Sequence, residues 1–308
     1  MASKILIAAP RGWCAGVDRA VEIVEKALTK YGPPVYVRKQ IVHNLHVVKE
    51  LEGQGAIFVE SEDEVPEGSV CVLSAHGVSP AVYENAERRR LRLVDATCPL
   101  VTKVHVEAKR FAKQDRTIFL IGHAGHEEIE GTSGVAPDRT VIIETPEDAR
   151  AVSVDNPAAV SYLTQTTLAV DDTLEVVEAL REKFPQLSGP TRSDICYASQ
   201  NRQAAVKTIA KQADLVFVVG SENSSNSNRL VEVAKESGSL SFLIEDEKDI
   251  DPALVRDAEV IGITSGASTP EVLVERVIAF LAELGVSDVE EVAVAEENVR
   301  FPLPLGLD

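Results

Sequence analysis

At 308 residues, with 44% hydrophobic and 26% charged residues, the chain has the composition of a soluble globular protein with room for two or three domains. Its 31 basic residues against 49 acidic ones leave a net charge of -18, which argues against nucleic acid as a partner, because phosphate binding draws on clustered Lys and Arg. No apolar run approaches the roughly 20 residues of a membrane span, and MASKILIAAPRGW is too briefly apolar for a signal peptide. The expectation is a cytoplasmic protein with no membrane partner, whose four cysteines serve a metal or catalysis before disulfides.

Taken in chain order, KILIAA at 4–9 reads as a strand. AGVDRAVEIVEKALTKYG follows with Val17, Val21, Val24 and Leu28 at helical spacing, and it stops at Gly32-Pro33-Pro34. VYVRK, AIFV and VCVLS are short buried strands, and Cys71 inside the last reads as a core residue sharing a face with Leu73. The one basic run, ERRRLR at 87–92, reads as the solvated end of a helix. VDA then leads to Cys98, which Pro99 follows as a helix opens: PLVTKVHVEAKRFAKQ. Beyond it, the strands TIFLIG, VIIE, VSYLT, LVFVVG, LSFLI and VIGITS alternate with the helices VDDTLEVVEALREKF, NRQAAVKTIAKQ, SNRLVEVAKES and PEVLVERVIAFLAELG. Such alternation predicts an α/β protein with parallel sheets. Residues 286–308 read as an acidic tail over the body, with no chemistry.

A spacing recurs along this pattern. Cys14 is followed by His43 at 29 residues and His76 at 62; Cys98 by His126 at 28 and Thr166 at 68; Cys196 by Ser224 at 28 and Ser268 at 72. Each third of the chain therefore carries a cysteine before a helix and two polar groups after later strands. The units implied are 15–97, 98–194 and 195–285, the last joined by strand 1–14, since that strand precedes Cys14 much as VDA precedes Cys98. Open parallel sheets bind ligands beyond the carboxyl ends of their strands. Three such units about a common axis would bring the cysteines and their polar companions to one cleft.

Three thiolates are one short of a four-cysteine zinc site, and none lies in a local CxxC pair. Well-separated thiolates suit an iron–sulfur cluster, and three on four irons leave one iron to act on a substrate oxygen. His43, His76, His126, Ser224, Ser225, Asn226 and Ser268 form a donor set for a diphosphate, without lysine or arginine. NSSNSN also reads as an N-cap cluster, which is compatible with that role. Glu128 would relay protons, with Thr166 bridging, if burial brings its pKa toward neutrality. HEEIE lacks the second histidine of HExxH, so that metalloprotease reading fails. His46, His105 and His123 are assigned structural roles. APRGWCAG is not GxGxxG, so no nicotinamide or flavin fingerprint is present and electrons would come from another protein. A non-redox hydro-lyase, a non-enzymatic iron–sulfur sensor or carrier, and a zinc protein remain as alternatives at this level.

PRGWCAGVDRAV, IVHN, SAHGVS, DATCPLVTKVH, IGHAGH, TQTTL, DICYASQNRQ, VGSENSSNSNRL and GITSGAST together closely resemble the 4-hydroxy-3-methylbut-2-enyl diphosphate reductase family. The resemblance implies a pseudo-threefold trefoil of three α/β units around a [4Fe-4S] cluster held by Cys14, Cys98 and Cys196. It implies reductive removal of the allylic hydroxyl, with isopentenyl and dimethylallyl diphosphates as products of the last step of the non-mevalonate pathway. The diphosphate would lie on His43, His76, His126, Ser224, Ser225, Asn226 and Ser268. Glu128 would deliver the proton, helped by Thr166 and His126. The donor would be a ferredoxin or flavodoxin, with ERRRLR as a docking patch for an acidic protein. One departure is Glu127, where many relatives have proline; the spacing to Glu128 survives, so its role is expected to survive in a slightly altered local field.

Overall fold

The structure is a computed structural model and describes residues 3–307. In chain order, β1 (Lys4–Ala9) leads to α1 (Ala15–Tyr31), β2 (Val35–Arg38), α2 (Leu45–Gly53), β3 (Ala56–Val59), β4 (Val70–Leu73), α3 (Pro80–Arg88) and β5 (Arg92–Asp95). Next come α4 (Pro99–Lys113), β6 (Thr117–Ile121), α5 (Glu127–Ser133), β7 (Thr140–Ile143), α6 (Pro146–Ala151), β8 (Val160–Thr164) and α7 (Val170–Lys183). The last stretch holds α8 (Tyr197–Ala210), β9 (Leu215–Val219), α9 (Ser225–Glu236), β10 (Leu240–Ile244), α10 (Pro252–Asp257), β11 (Val260–Ser265), α11 (Glu271–Glu283) and β12 (Val289–Ala293).

These strands form three small sheets, ordered β3-β2-β4-β5, β7-β6-β8 and β10-β9-β11-β1-β12, and every recorded pairing is parallel. The chain divides into two compact bodies. One comprises residues up to Val17, His43–Val47 and Tyr197–Arg300; the other comprises Asp18–Val42, Val48–Cys196 and the residues after Arg300.

The first body is built on the five-stranded sheet. Alternate residues of its strands point to opposite faces. Ile5, Ile7, Phe217, Ile261 and Ile263 pack with Leu273, Val274 and Val277 of α11. Leu6, Ala8, Val216 and Val218 pack with Val206 and Ile209 of α8 and Leu230 of α9. Both faces are therefore covered, which is why LVFVV is apolar at every position and buried throughout.

The second body carries the other two sheets. Ile118 and Leu120 of β6 face Val104, Ala108 and Phe111 of α4. Phe119 and Ile121 face Val176, Val177 and Leu180 of α7 on the opposite side. In the β2–β5 sheet, Cys71 is fully buried with Val65, Ala86 and Leu91, and burial pushes its thiol up to about 12. It is a core residue, inert as a ligand.

Two readings of the sequence change. Residues 286–308 are not a plain acidic tail, because Val289–Ala293 add strand β12 in parallel beside β1. It escapes pattern reading because it is an edge strand, exposed along most of its length, and charge on such an edge blocks further pairing. The short helices α2, α6 and α10 also carry too few turns for a clear periodicity. The helix read from Asn201 begins earlier, at Tyr197, directly after Cys196.

Candidate active site

All three sheets share one strand plan. A first strand (β2, β6 or β9) is flanked on one side by the strand that follows it and on the other by a later one (β4, β8 or β11). Where the chain reverses direction across a parallel sheet, the two diverging loops leave an opening at the strand ends. His43 and His76 follow β2 and β4, His126 and Thr166 follow β6 and β8, and Ser224 and Ser268 follow β9 and β11. The six spaced polar residues thus occupy the loops at the switch points. Each cysteine follows the strand one place further out: Cys14 after β1, Cys98 after β5, and Cys196 after the segment whose Ser188 bridges Ser161 of β8.

Backbone bonds then tie each cysteine to one of these loops. The Cys98 N–H donates to Ala75 O (2.9 Å), beside His76. Cys196 N–H donates to Thr166 O (3.0 Å), and Cys14 N–H to Ala267 O (3.3 Å), beside Ser268. Spacing groups each cysteine with the polar residues that follow it in the chain. The hydrogen bonds instead join it to the loop of the preceding sheet, because parallel neighbours end at the same edge. The three cysteines are half-buried and form no disulfide.

In the second body, His76, His126, Glu128 and Thr166 form one connected cluster. His126 caps α5, its Nδ1 accepting the Glu128 N–H at 3.1 Å. That bond leaves the ring proton of the neutral form on Nε2. Burial, with the charge of His76, pushes the His126 pKa down to about 4, so it is neutral at pH 7. Glu128 is 2% exposed. One carboxylate oxygen accepts the Thr166 N–H (2.7 Å) and the other the Thr166 hydroxyl (2.9 Å). Burial pushes the Glu128 carboxyl up to about 7, outweighing both Thr166 bonds and the attraction of His76; Asp194 adds to the rise. The His76 and His126 rings meet edge to face with centroids 5.8 Å apart. Gly77 follows His76 at φ +77°, and a Cβ there would lie 3.0 Å from His105 and 3.1 Å from Val101. Only glycine lets this loop turn so close to α4.

Sequence reasoning missed two participants here. Glu127 faces His76 Nδ1 at 3.1 Å. Burial opposes its ionisation, but His76, with further help from Lys39 and His126, holds its carboxyl below the usual range. Gln165, fully buried, accepts the His123 N–H (3.1 Å) and donates to Thr167 Oγ1 (2.8 Å), bracing the loop that carries Thr166. TQTT contained that residue, but nothing in the spacing marked it.

In the first body, Ser224 caps α9 and Ser225 is the helix's first residue. Ser224 Oγ accepts the Ser227 N–H (3.3 Å) and lies 3.0 Å from Ser227 Oγ. Asn226 Oδ1 accepts the Ala267 N–H at 2.8 Å, while its Nδ2 is buried with no hydrogen-bond partner among the described residues. Ser268 Oγ donates to His43 O at 2.9 Å. A buried amide donor left unsatisfied beside hydroxyls and a helix N-terminus is matched by an anionic ligand. Among the histidines assigned structural roles, His105 is largely buried beside Gly77 and pushed by burial to about 4, and His123 pairs with Glu144 at 3.7 Å. Among the described residues no helix is long and apolar enough to cross a membrane.

Known proteins share this chain's sequence and fold. The LytB protein family model matches residues 5–282. The chain is 61% identical to the 4-hydroxy-3-methylbut-2-enyl diphosphate reductase of Acidothermus cellulolyticus, over 98% of its own length and 89% of the relative's. It is 57% identical to the enzyme of that name from Tropheryma whipplei, over 100% of its own length and 98% of the relative's. The solved E-1-hydroxy-2-methyl-but-2-enyl-4-diphosphate reductase of Plasmodium falciparum superposes with a TM-score of 0.95 at 39% identity, covering 99% of this chain and 96% of the other. Identity of that order, sustained from the first strand to the last helix and joined to a shared fold, means that the chain belongs to the LytB family.

Proposed function

We infer that this chain is a 4-hydroxy-3-methylbut-2-enyl diphosphate reductase, the terminal enzyme of the non-mevalonate pathway. It takes the allylic alcohol, two electrons and two protons to isopentenyl or dimethylallyl diphosphate and water. The C–O bond breaks, a C–H bond forms at either end of the allyl unit, and the hydroxyl leaves as water. Near full-length identity to relatives of that name supports the activity. The observation in the molecule that carries it is Glu128, a buried carboxyl near pH-neutral titration whose two oxygens are both held by Thr166.

Cys14, Cys98 and Cys196 would hold a [4Fe-4S] cluster, in the pseudo-threefold arrangement of the three sheets that their spacing implies. The donor set fits. All three thiols are half-buried, each has its backbone N–H satisfied, and each lies just before a helix; Cys71, the fourth, is sealed in a core. When bound, the cluster supplies low-potential electrons and an iron that polarises the substrate oxygen. The rest falls to the chain's own groups. Glu128, its carboxyl pushed up to about 7 by burial, stores a proton, and the Thr166 hydroxyl, able to donate and accept, passes it outward. Neutral His126 offers Nε2–H as a donor. Asn226 Nδ2, Ser224, Ser225, Ser268, His43 and His76 take the diphosphate. The donor would be a ferredoxin or flavodoxin in the reducing cytoplasm, docking near the exposed Arg88, Arg90 and Arg92.

The test is an anaerobic preparation assayed for iron, sulfide and turnover with and without a low-potential reductant. Iron, sulfide and strictly reductant-dependent formation of both products are expected. Turnover indifferent to the reductant would identify a hydro-lyase instead, and a colourless, iron-free protein would remove the cluster.

A further inference from the structure

Three cations recur at one place in the repeat. Arg19, five residues after Cys14 on α1, donates from Nη1 to the carbonyls of Ala96 (3.3 Å) and Thr97 (3.1 Å), the two residues before Cys98. Lys103, five residues after Cys98 on α4, donates from Nζ to the carbonyls of Arg192 (2.7 Å) and Ser193 (2.9 Å) and pairs with Asp194 at 3.1 Å, in the loop leading to Cys196. Arg202, six residues after Cys196 on α8, donates to the carbonyls of Gly12 (2.7 and 3.0 Å) and Trp13 (3.2 Å), just before Cys14. Each helix that one cysteine opens therefore carries a cation that grips the loop presenting the next, and the third returns to the first.

These bonds do more than stabilise a fold. The gripped carbonyls belong to irregular backbone, where no helix or sheet ladder takes them up. Arg202 is fully buried, although apolar residues generally fill such a space at lower desolvation cost. Its partner Glu297 (3.0 Å) is mostly buried too, so the pair is shielded from water. Lys103 is held against Asp194, which also accepts the Thr164 N–H (3.1 Å), so the Cys196 loop is braced to β8 as well.

We propose that Arg19, Lys103 and Arg202 are positioning residues for the metal-binding cysteines, a recurrent set of carbonyl clamps that fixes each thiolate loop. This rests on the reading that Cys14, Cys98 and Cys196 hold an iron–sulfur cluster.

The experiment reconstitutes the full chain anaerobically with ferrous iron and sulfide, then follows iron release to excess chelator and the midpoint potential. Lys103→Met and Arg19→Met should fold with wild-type far-UV circular dichroism as apo-proteins. They should lose iron at least tenfold faster than wild type, with a midpoint shifted to more negative potential. Lys103→Arg, which keeps the charge and can reach the same carbonyls, should restore both. Val65→Ala, a truncation in the core cluster of Cys71, Ala86 and Leu91, serves as the stability control. Wild-type release rates and potentials in Lys103→Met and Arg19→Met would overturn the clamps, and so would equal acceleration in Val65→Ala. A wild-type protein that takes up no iron and sulfide would overturn the cofactor reading instead.

Discussion

The loops after β6 and β9 stand at the same place in the repeat, 28 residues after Cys98 and Cys196. Both open a helix with a side-chain cap: His126 Nδ1 accepts the Glu128 N–H at 3.1 Å, and Ser224 Oγ accepts the Ser227 N–H at 3.3 Å. The backbone device is common, but the chemistry is not. His126-Glu127-Glu128 brings three titratable groups, of which Glu128 is pushed up to about 7 and His126 down to about 4. Ser224-Ser225-Asn226 brings two hydroxyls and an amide, none of which titrates near neutrality. One repeat carries groups whose charge changes with pH; its counterpart offers neutral donors whose state is independent of pH. A threefold backbone therefore does not imply threefold chemistry.

That division can be broken most directly at Glu128. Glu128→Gln keeps the volume and one acceptor for Thr166, its amide NH2 being a donor only, and removes the titrating proton, so kcat should fall by roughly 10²–10⁴. Iron content should stay at the wild-type level. Equal turnover in the variant would assign the proton to another group. In the wild type, kcat should decline as pH rises through about 7, because the protonated carboxyl is the competent form. A profile flat from about one pH unit below to about one unit above that value would contradict this.

The same shift has a stability consequence. An ordinary carboxyl near 4.5 in the unfolded chain and one at about 7 in the folded protein means that the folded state binds the extra proton between those values. Stability is then highest below the unfolded value and is lost as pH rises to the folded one, by up to about 3 kcal/mol. Apo Glu128→Gln should accordingly unfold at higher temperature than the wild type above pH 7, the difference vanishing near pH 4; calorimetry at both ends checks the sign.

The other side of the comparison responds in binding. Asn226→Ala removes the buried, unpartnered Nδ2 and should raise KM about tenfold, the size of one hydrogen bond to a charged ligand. kcat should change much less, with no alteration in its pH profile. The smallest effect is expected for Ser224→Ala, which costs about 1 kcal/mol of stability as a lost N-cap. A Tm loss far beyond that would mean Ser224 supports more than α9.

Much of the fold was legible because parallel strands covered on both faces are continuous apolar runs. LVFVV, VCVL and TIFLI announce themselves in that way. β12 did not, because an exposed strand bonded on one edge needs no apolar face. The spacing of Cys14, Cys98 and Cys196 placed their loops, and the structure puts the spaced polar groups after paired strands. Which loop each cysteine is bonded to was hidden, since neighbours in a parallel sheet are brought together by crossovers. The three clamping cations were visible only as a recurrence at five, five and six residues after the cysteines, with nothing to show what they hold.

Glu127 and Glu128 mark the boundary most sharply. They are the same residue type at adjacent positions, and local sequence assigns them the same titration. The sequence alone determined the buried strands, the cysteine spacing and the presence of a carboxylate two residues past His126, since these follow from local periodicity and order along the chain. Tertiary structure decided which carboxylate keeps its proton. Glu127 meets His76 from 51 residues away and stays ionised, while Glu128 is buried and held by Thr166 from 38 residues away. Desolvation and remote partners set a pKa, and both exist only once the chain has folded.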